Sequence, residues 1–243
     1  MCGRYAQSAD MRELMEQFEV SGSSPTESLP ASWNIAPTNP IYIVRADSEN
    51  HKKNALATVS WGLIGPWLID VSEAKASQSR AINARSESIH EKPTFRAAFK
   101  STRCLIPAEG YYEWATALGK YSPKQPFYIS AKNGKQLPIA GIWSSWRAPN
   151  GSMIETASII TQEAQGELAE IHNRMPVFMP YERWDQWLNP ANTETESLKS
   201  LMQIESPASL AVARQVSRAV NTVSNNSQKL TAQIEVGEPE TLF

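Results

Sequence analysis

Short runs of β-branched and aromatic residues recur along the whole chain, each closed by a Pro, Gly or Asn turn, and helical stretches interrupt them without a regular strand–helix period. A doubly wound parallel sheet needs a crossover helix after each strand, so this irregularity predicts an α+β fold with curved antiparallel or mixed sheets. IYIVR at 41–45 and LATVSW at 56–61 flank the polar turn DSENHKKN and read as a hairpin. LIP inside RCLIPAEGYYEW (103–114), PFYIS (126–130), PIAGIWSSW (138–146) and IETASIIT (154–161) read as further strands, with short ones around 211–216 and 231–236. WNIAPTN at 33–39 reads as an ordered connection, because Pro37 and Pro40 restrict the backbone, and WGLIGPW at 61–67 as irregular.

Met11, Leu14, Met15 and Phe18 share one face of a helix over 9–18, with Ser8 as its cap and the loop GSSPTESLP ending it. Further helices are expected over 93–99, over 162–171 ending near His172, over 181–188 and over 196–203. With no repeat and no linker, a single domain over 2–226 is expected, followed by a C-terminal strand and flexible tail over 227–243.

A composition of 41% hydrophobic and 20% charged residues excludes a disordered chain. Cys2 and Cys104 are too few for a disulfide scaffold, and His51, His90 and His172 are isolated, so neither a metal nor a cofactor is expected. The absence of a long apolar run or a secretory h-region points to the cytoplasm, where thiols stay reduced. A net charge of −2 gives no support to a broad basic wrap around nucleic acid but leaves room for a local groove.

The blocks MCGRY, WNIAP, WGLIGPW, INARSES, RCLIPAEGYYEW, AGIW and IHNRMPV, closed by VSRAVNTVSNN at 216–226, occur in an order that resembles the SOS-response-associated peptidase family. That family includes abasic-site-processing proteins of bacteria and a related eukaryotic 5-hydroxymethylcytosine-binding protein. One block would be unspecific; seven in order, from Cys2 to about Val223, are specific. The resemblance implies a compact α+β domain built on a distorted mixed or antiparallel β-barrel with peripheral helices. It also implies a monomer acting on single-stranded DNA, or a single-to-double-strand junction, that carries an abasic site, in the cytoplasm and on the nucleoid at damaged DNA.

The implied chemistry is a reversible thiazolidine crosslink to Cys2 after autoproteolytic loss of Met1. An abasic deoxyribose spends part of its time as an open aldehyde. An N-terminal Cys carries an amine with an ordinary pKa of about 7.7 to 8.0, able to form an imine, and a thiol that then closes a five-membered ring on the same carbon. An internal Cys lacks the amine, and Cys104, beside Leu105 and Ile106, reads as a core thiol.

The resemblance carries further roles to matching positions. Glu113 in YYEW becomes the acid/base for crosslinking and Met1 removal, framed by Tyr111, Tyr112 and Trp114, with Glu109 read as a surface residue. His172 becomes the proton donor that opens the sugar ring, although this chain has Asn173 where the family commonly has Asp. Asn34 in WNIAP would hold the Cys2 amine or the sugar hydroxyl, and Asn83 would position backbone or phosphate. Arg4, Arg85 and Arg174 form an expected phosphate set, with Trp67 stacking on a base and Trp61 in the core. Two other readings stay open: a non-covalent single-stranded-DNA-binding module with an incidental Cys2, and a thiol peptidase acting on other proteins.

Overall fold

A computed structural model describes residues 2–116, 121–122 and 124–234. Strands β3 (Pro40–Ala46), β4 (Asn54–Trp61), β6 (Arg103–Ala108), β9 (Leu137–Arg147) and β10 (Met153–Glu163) close into a five-stranded barrel in the order β10-β4-β3-β6-β9-β10. Only the β10–β4 contact in that ring is parallel, so the barrel is mixed. The 41–45/56–61 hairpin is its β3–β4 edge, paired from Pro40↔Ser60 to Ala46↔Asn54. A second, antiparallel sheet has the order β12-β8-β7-β1-β2, from Ala211–Gln215, Pro126–Ala131, Gly110–Trp114, Arg4–Gln7 and Ser32–Ile35.

Strand alternation divides the core. Ile41 and Ile43, Val59 and Trp61, Cys104 and Ile106, and Ala157 and Ile159 face a cluster that also takes Cys2, Tyr5, Tyr111, Phe127 and Ile129. Their in-between neighbours, among them Tyr42, Val44, Leu105, Ala140 and Ile142, join a second cluster with Leu14, Phe18, Phe99, Trp187 and Leu198 from the helices. Both faces of the barrel wall are therefore covered, which is why RCLIPA in β6 is buried at every position. Gly141 on β9 makes room for its neighbours, because a Cβ there would lie 2.8 Å from Ile106 Cδ1 and that side chain would have to shift.

Helices α1 (Met11–Gln17), α3 (Pro93–Ser101), α4 (Trp184–Leu188) and α5 (Thr195–Met202) lie where expected. The cap of α1 is Asp10 in a capping box with Glu13, while Ser8 instead donates to a Glu109 carboxylate oxygen, so Glu109 is half-buried rather than a free surface residue. Three other expectations are corrected. Residues 32–35 of the WNIAP region form an edge strand. The expected helix over 162–171 is β10 running on to Glu163, then a 3-10 turn over Gly166–Glu170; Gly166, at φ +55°, breaks any helix there. Of the expected 231–236 strand, Thr231 ends a 3-10 turn and Gln233 makes an isolated bridge to Val216; 235–243, with the expected tail, lie outside the described residues.

An unexpected helix, α2 (Val71–Arg80), follows the Trp67 loop, capped by Asp70. Among the described residues no helix is long and apolar enough to cross a membrane.

Candidate active site

β1 brings the start of the chain into the core by pairing with β7 as Arg4↔Tyr112 and Tyr5↔Tyr111, which carries the residues before Arg4 toward Glu113. Cys2 has no exposed surface, and its carbonyl accepts a 2.8 Å hydrogen bond from Asn83 Nδ2. Glu113 is 3% exposed. Burial raises its pKa to about 7, with the charge of the amino terminus pulling the other way. Burial, followed by the Glu113 charge, pushes the Cys2 thiol well up. Because a strand alternates, Glu113 shares its face with Tyr111, whereas Tyr112 turns to a separate cluster with partly buried Trp114 packed against it. The expected aromatic frame of Glu113 thus reduces to one ring of its own strand.

Two short strands flank the end of β10. β5 (Asn83–Arg85) runs parallel to it and β11 (Arg174–Pro176) antiparallel, so Thr161 is the register partner of both Arg85 and Pro176. Asn83 and Arg85 are brought beside Arg174, distant in sequence, by this one strand. His172 stands just before β11, half-buried, and its Nδ1 accepts a 3.0 Å bond from the Arg174 backbone N–H. That bond puts the proton of the neutral ring on Nε2. Burial first, then the amino-terminal charge, lower the His172 pKa, so the ring is neutral near pH 7.

Arg174 makes a two-pronged ion pair with Glu87, at 2.6 and 3.0 Å, and also donates to Thr161 O at 2.7 Å. Burial alone would raise the Glu87 pKa, but the Arg174 hydrogen bond, backbone hydrogen bonds and the Arg174 charge together outweigh it and leave the pKa lowered. Arg85 is exposed. Trp61 is fully buried, edge-on to Tyr5, while Trp67 is 51% exposed and lies over Gly65, where a Cβ would come within 2.5 Å of the indole.

Asn34 and Arg4 belong to another assembly. Asn34 Nδ2 donates to the carbonyls of Val220, Thr222 and Asn225, and its Oδ1 accepts from Arg4, whose guanidinium also reaches Val220 O. The amide that contacts Cys2 is Asn83, and Asn34 pins the closing block to β1 and β2. Tyr5 and Glu87 were missed as neighbours of the expected site, although Glu87 lies within the INARSES block. Cys104 is a buried core thiol. Among the described residues no three His, Cys, Asp or Glu side chains come together as a metal site.

Comparison with known proteins finds a match between residues 1–223 and the model of the SOS response associated peptidase (SRAP) family. The abasic site processing protein YoqW of Bacillus subtilis is 36% identical over 230 residues, 95% of this chain and 98% of its own length. The abasic site processing protein HMCES of Gallus gallus is 28% identical, covering 86% of this chain and 68% of that protein. A crystal structure of a Bacteroides thetaiotaomicron protein superposes with a TM-score of 0.83 over 96% of this chain and all of that one, at 23% identity, which speaks to the fold. A Bordetella bronchiseptica structure follows at TM-score 0.73 and 27% identity, over 89% of this chain and all of that one.

Proposed function

The chain belongs to the SOS response associated peptidase family, and from that premise we propose that it captures abasic sites in single-stranded DNA as a thiazolidine on Cys2 once Met1 has been removed. The observation that carries the reading is the convergence of the buried Cys2 and Glu113 with Asn83, Glu113 having a pKa of about 7. A carboxyl at that pKa both takes and gives protons at neutral pH.

The steps balance as follows. The sugar opens as its anomeric hydroxyl loses a proton, the bond from that carbon to the ring oxygen breaks and the ring oxygen gains a proton; Glu113 exchanges these protons, and His172 Nε2–H hydrogen-bonds the ring oxygen as charge develops on it. The Cys2 amine adds to the carbonyl carbon, and loss of one water leaves an imine. The thiol then adds across C=N: a C–S bond forms, the thiol proton goes to the nitrogen, and the five-membered ring closes. Glu113 relays protons in the addition and dehydration, and the same groups run the steps backward in reversal. The earlier loss of Met1 hydrolyses one peptide bond with one water, for which Glu113 is the base.

Asn83 holds Cys2 by its carbonyl, so this contact occupies neither the amine nor the thiol. Trp67 takes a base, while Arg85 and Arg174 take phosphates; Arg4 contributes through the segment it pins. In the chain that still carries Met1, Cys2 is enclosed, which argues against a peptidase acting on foreign proteins.

Intact-protein mass spectrometry after mixing with a single-stranded oligonucleotide bearing one abasic site tests this. The expected product is protein without Met1 plus oligonucleotide minus one water, absent with an intact oligonucleotide or a Cys2→Ala protein. No adduct from fully processed protein would leave non-covalent strand binding as the function.

A further inference from the structure

Between α1, the turn from β8 to β9 and the segment around Tyr181, two hollows of about 320 and 860 Å³ adjoin and share Gln17, Lys135, Gln136 and Tyr181. The smaller hollow is mainly apolar. Leu210 and Tyr181 line it while 47% and 61% exposed, and the half-buried Ala131, Pro138 and Pro180 add to its accessible surface. Phe178 and Trp184 are buried there and support it. Large apolar side chains left in water and grouped at one hollow mark an interaction surface, unlike ones scattered singly.

The larger hollow is acidic. Glu13, Glu16, Glu19 and Glu109 line it, and Lys135 is its one cation. Among the described residues none of these four carboxylates is in an ion pair. Glu13 accepts from the Asp10 backbone N–H, Glu109 from the Ser8 hydroxyl and Glu19 from the Tyr181 hydroxyl at 2.7 Å. Those donors are neutral, so they orient the carboxylates without cancelling their charge. Tyr181 thereby joins the two hollows, with its ring at the apolar one and its hydroxyl on an acidic group. Gln17 and Gln136 clamp α1 to the turn by reciprocal bonds of 2.9 and 3.1 Å, so the cleft is formed before anything binds.

The charge selects the occupant. A nucleic-acid strand is repelled, because its phosphates would face the carboxylates, and a bare cation leaves the apolar half uncovered. We propose that this cleft docks an extended segment of a partner protein in which a large apolar side chain lies beside lysines or arginines. The apolar side chain covers Leu210 and Tyr181, and the cations run over Glu16 and Glu19. None of the residues that line the cleft belongs to the capture site, so the docking chemistry stands apart from the capture reading. A strand held at Cys2 and a partner held here can be bound together.

The test is an NMR titration of the full chain with a short synthetic peptide carrying a phenylalanine–leucine pair beside a run of lysines. One control peptide has glutamates for the lysines and another has serines for the apolar pair. Saturable shifts at Tyr181, Leu210 and the Gln17 amide are expected with the first peptide only, and binding should weaken several-fold between about 0.05 and about 0.3 M salt. Glu16→Lys and Leu210→Ser alter exposed side chains, and each is expected to weaken binding by about three- to ten-fold while leaving the melting temperature and abasic-strand crosslinking unchanged. No shift with the first peptide, equal binding of all three peptides, or full affinity in both variants would overturn the proposal. Shifts at Tyr181 and Leu210 that grow with protein concentration in the absence of peptide would also overturn it, by giving the cleft to a second copy of the chain. The same shifts with an intact oligonucleotide would overturn it in favour of a strand.

Discussion

Glu113 is one carboxyl that reports on both stability and chemistry. Its folded pKa of about 7 stands above the ordinary carboxylate value, so the folded state holds its proton longer than the unfolded one. The stability this confers is complete below the ordinary value of about 4.5, falls as pH rises, and is gone above about 7. The loss is on the order of 3 kcal/mol for a group so deeply buried. Glu113→Gln removes the titration, so the variant's melting temperature relative to the parent should climb from about pH 5 to about pH 8 and then level off. A flat difference would mean the carboxyl is ionised throughout. The crosslinking rate should lose its pH limb near 7 in the same variant. The His172 pKa is shifted the other way, lowered by burial, so its ring is neutral near pH 7 and a limb near 7 that survives in Glu113→Gln belongs elsewhere.

At the scale of elements, the Trp67 loop depends on glycine. Gly62 has φ +111°, and a Cβ there would lie 2.2 Å from the Gln78 carbonyl of α2; Gly65 yields its side-chain space to the Trp67 ring. Gly65→Ala leaves the indole present but displaced. Fluorescence anisotropy with an intact single strand is expected to show a loss of about 1 to 3 kcal/mol, as large as in Trp67→Ala. Full affinity in Gly65→Ala would remove Trp67 from the interface. The strands were legible because alternation and turn residues both mark them, and so was the β3–β4 hairpin. Helix α2 was not, because only Ala74 of its ten residues is buried and no apolar stripe shows. The Ala- and Glu-rich 162–171 segment misled in the other direction, since pairing of β10 with β11 overrides local helix propensity. Cys2, Glu113 and His172 could be named only from their motifs. Which asparagine holds Cys2 depends on β5 lying beside β10, a contact that no local pattern encodes.

For the molecule as a whole, a net charge of −2 allows only a few phosphate contacts, and the fold already engages most of the expected arginines. Arg4 holds the closing block, Arg174 is clasped by Glu87, and Arg85 is exposed. Glu87 offers Arg174 two oxygens in the manner of a phosphate, so an arriving strand must displace it. Binding of an intact single strand should therefore weaken only gently with salt. A log–log slope of about −1 corresponds to one or two phosphates at about −0.7 each. Glu87→Gln frees the guanidinium, which Thr161 O still anchors, and should tighten binding several-fold at low salt while steepening the slope by about 0.7. A Cys2→Ala background keeps the measurement free of covalent trapping. A parent slope steeper than about −3 would reveal a basic surface much wider than these three arginines. An unchanged slope in Glu87→Gln would show that Arg174 serves the fold and not the strand.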